Sequence, residues 1–229
     1  MEPLTPLAEN LWVATRPLRL PVGDIGTRMT VIRLADGGLF LHSPVRLDDE
    51  TRAALDAIGP VRCVVAPSKV HHFFVGAYRD AYPHAKLFAA PGLPAKRKDL
   101  RFDAVLDDAT PPEWRAEIEQ TLFQGAELMN EVVFFHPASR TLILTDLAFN
   151  MVRPPRGRAR LFCALVGAKR RFGPHRIVRV GIRDRARARE SVRRILSWDF
   201  DRIIVAHGDV LAADGKRHFA EGFAFLGPR

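Results

Sequence analysis

The chain has 229 residues, 47% of them apolar, and a formal net charge of +9. That apolar content is ordinary for a soluble globular protein, and the length suits one large domain or two small ones. No stretch reaches the eighteen or so uninterrupted apolar residues of a membrane span.

The start, MEPLTPLAEN, has no basic opening and no apolar run, so no secretory signal is expected. The first forty residues then alternate short apolar runs (NLWVAT, MTVIRL, GLFLHS) with turn signals, which predicts an antiparallel β region. From Leu47 the spacing turns helical through Thr51, Ala54, Leu55 and Ile58, behind Asp48 as cap and ahead of Gly59-Pro60 as stop. A short strand over Val61 to Ala66 follows. Next comes VVAPSKVHHFFVGAY, where Val70, Phe73, Phe74, Ala77 and Ala81 share one face of a predicted helix ending at Pro83. Phe73 and Phe74 are expected to line a pocket or to join the core, the core being the commoner place for such residues.

Lys86 to Ala90 and Thr121 to Phe123 read as further strands, followed by EVVFF and TLILT around a turn at His136-Pro137. A helix is predicted from Asp184 to Trp198, with Ala188, Val192, Ile195 and Leu196 inward, then the strand RIIVA and a last helix around Phe219 to Leu226. Hairpins first and alternating strands and helices afterwards predict an α/β domain with two sheets. Cys63 and Cys163 lie inside apolar runs and read as buried free thiols, which fits a reducing, cytoplasmic compartment.

The charge is uneven. Residues 151 to 195 hold fifteen Lys/Arg against two acids, Asp184 and Glu190, so the rest of the chain is net acidic. This segment is read as a solvated arginine face with a Glu190–Arg194 pair, as a mouth for anionic substrates, or as a surface for nucleic acid or anionic membrane.

Three apolar runs stop at residues that metals favour. VVAPSKV leads to His71, TLILT to Asp146, and RIIVA to His207-Gly208-Asp209. Strands end along a common sheet edge, so these side chains can converge although distant in sequence. His, Asp and His suit a borderline cation such as zinc or iron. His136 reads as a turn residue, and His84, His175 and His218 as surface residues.

The order of these features resembles the metallo-β-lactamase-fold superfamily, and within it an uncharacterised branch, through HHFFVGAY, EVVFFHPASRTLILTDLAFN and WDFDRIIVAHGD. The resemblance runs from LAENLWV to AHGD. It implies one αββα sandwich over residues 1–229, with a metal site along an edge of the two sheets and hydrolysis of esters, amides, thioesters or phosphodiesters. The superfamily motif H-x-H-x-D-H is reduced here. His71 matches its second histidine, whereas Lys69, Phe73 and Phe74 stand where the first histidine, the aspartate and the third histidine belong. Asp146 matches the bridging aspartate and His207 the last histidine. His42-Ser43 replaces an aspartate that normally supports the site. A two-metal centre lacks too many ligands.

Two arrangements remain. In one, His71, Asp146 and His207 hold a single divalent ion (zinc, or else iron or manganese), with Glu131 or His72 as a fourth ligand. The protein is then a metal-dependent hydrolase of a small anionic substrate, with Asp146 orienting the water. In the other, no metal binds and the Lys69 ammonium pairs with Asp146. The protein is then a non-catalytic binder of a ligand, nucleic acid or an anionic surface.

Overall fold

The computed structural model describes residues 2–153, 155–168 and 171–227. The N-terminal region is an antiparallel meander of β1 (Thr5–Ala8) and β2 (Leu11–Arg16), a small ribbon of β3 (Arg19–Leu20) and β4 (Gly23–Asp24), then β5 (Thr27–Arg33) and β6 (Leu39–His42). The chain then alternates through α1 (Asp49–Ile58), β7 (Val61–Ala66), α2 (Val75–Ala81), β8 (Lys86–Ala89), α3 (Leu93–Lys96) and β9 (Ala104–Val105). β7, β8 and β9 extend the sheet in parallel from β6, giving the order β1-β2-β5-β6-β7-β8-β9.

A second sheet follows. It starts with β10 (Glu119–Leu122), β11 (Val132–His136) and β12 (Thr141–Ile143). An excursion through β13 (Phe149–Asn150), α4 (Gly157–Leu165), β14 (Phe172–Gly173), α5 (Arg176–Gly181) and α6 (Arg185–Ser197) leads to β15 (Arg202–Ile204) and α7 (Gly215–Phe223). β15 returns parallel to β12, and the order is β10-β11-β12-β15.

Successive side chains on a strand point to opposite faces, so each sheet serves two cores. Phe40, Cys63, Val65 and Phe88 of the first sheet meet Phe134, Ile143 and Ile204 of the second. Trp114 fills the space between, its ring 4.9 Å from Phe40 and 4.5 Å from Phe88. The alternate residues Leu39, Leu41, Val64 and Ala66 pack outward on Leu55, Val75 and Tyr78 of α1 and α2. Val133, Phe135, Leu142 and Ile203 pack outward on α6 and α7. The layers run helix, sheet, sheet, helix: the αββα sandwich.

Local signals explain most boundaries. Asp48 caps α1 by accepting from Thr51 N at 2.8 Å, and Asp184 caps α6 by accepting from Arg187 N at 3.0 Å. The histidine segment departs from expectation. Its helix starts only at Val75, because the Ser68 hydroxyl takes the amides of Val70 and His71 at 3.2 and 3.0 Å and folds residues 68–71 into a turn. Phe73 is therefore not a core residue; it is 58% exposed.

The basic segment carries α4, β14, α5 and most of α6, and its residues 154, 169 and 170 lie outside the described ones. Glu190 pairs with Arg193 at 2.9 Å and not with Arg194, which reaches Asp108 at 3.3 Å. Other arginines cap carbonyls: Arg176 bonds Leu165 O at the end of α4, and Arg189 bonds Leu226 O. Both cysteines are buried and free. Among the described residues no helix is long and apolar enough to cross a membrane.

Candidate metal centre

Topology brings one edge of the sandwich together. β6, β7, β12 and β15 end there, while β5 and β11, antiparallel to β6 and β12, begin there. His71 follows β7, Asp146 follows β12 and His207 follows β15, and their ligand atoms all lie within 4.8 Å of one another. Asp146 Oδ2 is 3.3 Å from His71 Nε2, Asp146 Oδ1 is 3.3 Å from His207 Nε2, and the two Nε2 atoms are 3.2 Å apart. All three residues are buried.

Each imidazole is held from behind. His207 donates Nδ1–H to Gly26 O at 2.7 Å, and His71 Nδ1 lies 2.7 Å from Ser43 Oγ. Both Nε2 atoms are thereby turned inward, the way outer partners orient metal-ligating histidines. Asp146 Oδ2, although buried, has no hydrogen-bond partner. Burial alone would push the Asp146 carboxyl up, but the imidazoles of His71 and His207 hold it well below the usual carboxylate range. Burial would lower His71, yet the adjacent Asp146 carboxylate, with Glu131 behind, raises it. Two imidazole nitrogens and an orphaned carboxylate oxygen facing a common point fit a divalent cation.

The supports around the three residues explain why they converge. Glu131, at the entry to β11, accepts from the backbone N–H groups of Thr145, Asp146 and Leu147 at 2.6, 2.8 and 2.9 Å. It holds the turn that carries Asp146 and is not one of the converging donors, so its place as a fourth ligand is taken by a positioning role. Burial and the Asp146 charge push its carboxyl up to about 7, against the pull of Thr145. Arg28, buried on β5, donates to Val205 O, to Gly208 O at 2.7 Å and to Thr15 Oγ1 at 3.2 Å, fastening the His207 loop to the first sheet. Gly208 has φ +95°, and a Cβ there would stand 2.2 Å from Asn150 O, so this sharp turn requires glycine.

The other sequence-predicted residues are placed elsewhere. His72 is outside the converging group: its Nδ1 accepts from Arg97 at 3.0 Å, and burial with the nearby Lys96 and Arg97 charges lowers it to about 4. His136 braces its turn through Ser139 Oγ at 2.7 Å. Ser43, of the His42-Ser43 pair, reaches the site; His42 is buried with Nε2 unpartnered and packs edge-on against Phe134. His84 is exposed as expected, but His175 is not a surface residue: it is buried, packs 4.5 Å from the Phe149 ring and lines the cavity over the site.

Lys69 does not pair with Asp146. Its ammonium donates to Glu127 O at 2.8 Å, so the metal-free arrangement loses the ion pair on which it depends. Replacing Lys69 with Met is expected to change stability by no more than about 1 kcal/mol, the worth of one such hydrogen bond. Urea denaturation of the K69M variant checks this; a loss of several kcal/mol would restore the ion pair.

Above the three residues opens a cavity of about 370 Å³. His71, His72, Asp146, His175 and His207 form its polar part, and the rest is almost wholly aliphatic and aromatic. Among the described residues no lysine or arginine lines it, although the basic segment supplies part of the wall.

The architecture is that of the metallo-β-lactamases. The chain is similar to a metallo-β-lactamase from Pontibacter korlensis, with 13% identity, a TM-score of 0.68 and 99% of each chain covered. It is similar to one from Hirschia baltica, with 13% identity, a TM-score of 0.67 and 99% and 98% of the two chains covered. FIM-1 from Pseudomonas aeruginosa, in a mono-zinc form, gives 15% identity, a TM-score of 0.68 and 97% and 93% coverage. These likenesses define a protein of the metallo-β-lactamase fold with a His-Asp-His group at the sheet edge. Within that class the chain belongs to the family described as "Domain of unknown function (DUF4336)", whose model matches residues 9–157. The match includes His71 and Asp146 and stops short of His207. No curated protein matches the sequence.

Proposed function

We propose that this chain is a metal-dependent hydrolase using one divalent ion, held by His71, Asp146 and His207. The observation that carries the reading is the convergence of two inward-facing Nε2 atoms on Asp146, whose buried Oδ2 has no hydrogen-bond partner. A divalent cation at that point supplies Lewis acidity to a carbonyl oxygen and makes water a nucleophile near neutral pH. The chain's own part is to fix that geometry. Ser43 and Gly26 set the ring orientations, Glu131 sets the Asp146 turn, and the Asp146 carboxylate accepts a hydrogen bond from the attacking water and orients it. The three residues are buried at a cavity whose wall is almost wholly apolar, and such low-dielectric surroundings strengthen each of these interactions.

Among the described residues no lysine or arginine lines the cavity, so a neutral small molecule suits it better than the expected anionic substrate. Two buried free thiols fit a reducing cytoplasm. The test is hydrolysis of a panel of neutral esters and amides by protein reconstituted with zinc, iron or manganese. Turnover should require metal and disappear in the His207→Ala variant. Turnover unaffected by chelation or by that variant would refute the reading.

A further inference from the structure

The cavity wall indicates what the reacting carbonyl carries. Leu20, Ile25, Phe73, Leu128, Phe162 and Ile177 line it, drawn from the β3–β4 ribbon, the loops at the sheet edge, α4 and α5. Four of them are exposed at the mouth, Leu20 by 37%, Phe73 by 58%, Leu128 by 62% and Ile177 by 57%. Exposing large apolar side chains in a cluster is costly unless something apolar covers them. The polar residues gather at the His71–Asp146–His207 end. The volume of about 370 Å³ lies within the usual range for a small-molecule site.

We infer that the cavity is an acyl-chain pocket and that the substrate is a neutral ester of a medium-length aliphatic acid. This rests on the hydrolase reading above. The ester carbonyl lies at the polar end, and the chain runs outward between Phe162, Leu128 and Ile177 toward the apolar mouth. In the reaction the water oxygen bonds to the acyl carbon and the carbon–oxygen bond to the alcohol breaks. One water proton leaves with the alcohol and the other passes to solvent, so the acid is released as its carboxylate. The lining fits this assignment: among the described residues it holds no lysine or arginine, and neither the ester nor its chain carries charge to be paired.

The pocket can be tested without chemistry. Straight-chain methyl ketones, neutral and not hydrolysable, are titrated calorimetrically into protein stripped of metal with chelator. Affinity should rise about fourfold per added methylene, as burial of each group from water requires, and level off once the cavity is full. The heat-capacity change on binding should be negative. Leu128→Asp and Ile177→Asp, both at exposed positions that folding tolerates, should weaken binding at least tenfold. Val180→Asp, on the outer face of α5 and 81% exposed, lies outside the cavity and should leave binding unchanged. Affinity indifferent to chain length, or weakened equally by V180D, would overturn the pocket. The two readings fail separately: ketone binding without metal-dependent ester turnover leaves the pocket and removes the hydrolase. Turnover of acetyl and longer esters at equal efficiency, without ketone binding, does the reverse.

Discussion

Replacing Glu131 with alanine is expected to cost the fold at least about 3 kcal/mol, because three buried N–H groups lose their acceptor at about 1–3 kcal/mol each. The carboxylate is 1% exposed and serves Thr145, Asp146 and Leu147 together, so no water stands ready to replace it. Against a typical total of about 5–15 kcal/mol, such a loss leaves a marginal protein. Glu131→Gln keeps one acceptor oxygen but turns an NH₂ group toward backbone donors, so it should fall between the variant and the wild type. Chemical denaturation of the three proteins reads the order. A second readout separates support from mere bulk: metal affinity should fall in E131Q even where the fold survives, since the turn that aims Asp146 is loosened. Equal stability of E131A and wild type would mean that the turn is held by something else.

The second large effect belongs to Arg28. Its guanidinium joins the sheets where they carry the site, bonding two carbonyls of the loop around His207 and the Thr15 hydroxyl. Hydrogen bonds to a charged group contribute about 1.5–3 kcal/mol each, so Arg28→Met is expected to lose about 3 kcal/mol or more. It should also lower metal affinity, since the loop around His207 then loses its tie to the first sheet at Val205 O and Gly208 O. Arg28→Lys retains the charge but cannot span both carbonyls, and it should recover part of the stability. Thermal melts with and without added zinc measure both effects. Full metal affinity in R28M would detach Arg28 from the site.

These two residues show what the sequence can and cannot reveal. His71, Asp146 and His207 are legible because each closes an apolar run, and strand ends share an edge. Glu131 is legible only as a carboxylate near that edge. Whether it faces the common point or the backbone of residues 145–147 depends on how the loop after β12 folds back, which no local spacing encodes. Arg28 sits in TRMTVIR, where alternation suggests an outward polar residue; its partners at Val205 and Gly208 are far along the chain. His175 is hidden similarly, as a histidine within a basic run that folding carries over the site.

The helices and strands were mostly readable because caps and stops agree with periodicity, as Asp48 and Gly59 do for α1. The exception is residues 70–74, where the apolar spacing is helical but Ser68 competes successfully for the first amides. The same turn decides between the two places open to Phe73: it lines the pocket, exposed at the cavity mouth, and does not join the core.

The most direct test of the account is the metal content of the purified chain after reconstitution with zinc, iron or manganese and exhaustive dialysis. The wild type should retain one divalent ion per chain, and Asp146→Ala and His207→Ala, each checked for folding by circular dichroism, should retain almost none. A wild type that holds no metal under any of the three conditions, or a folded D146A that holds as much as the wild type, would contradict it.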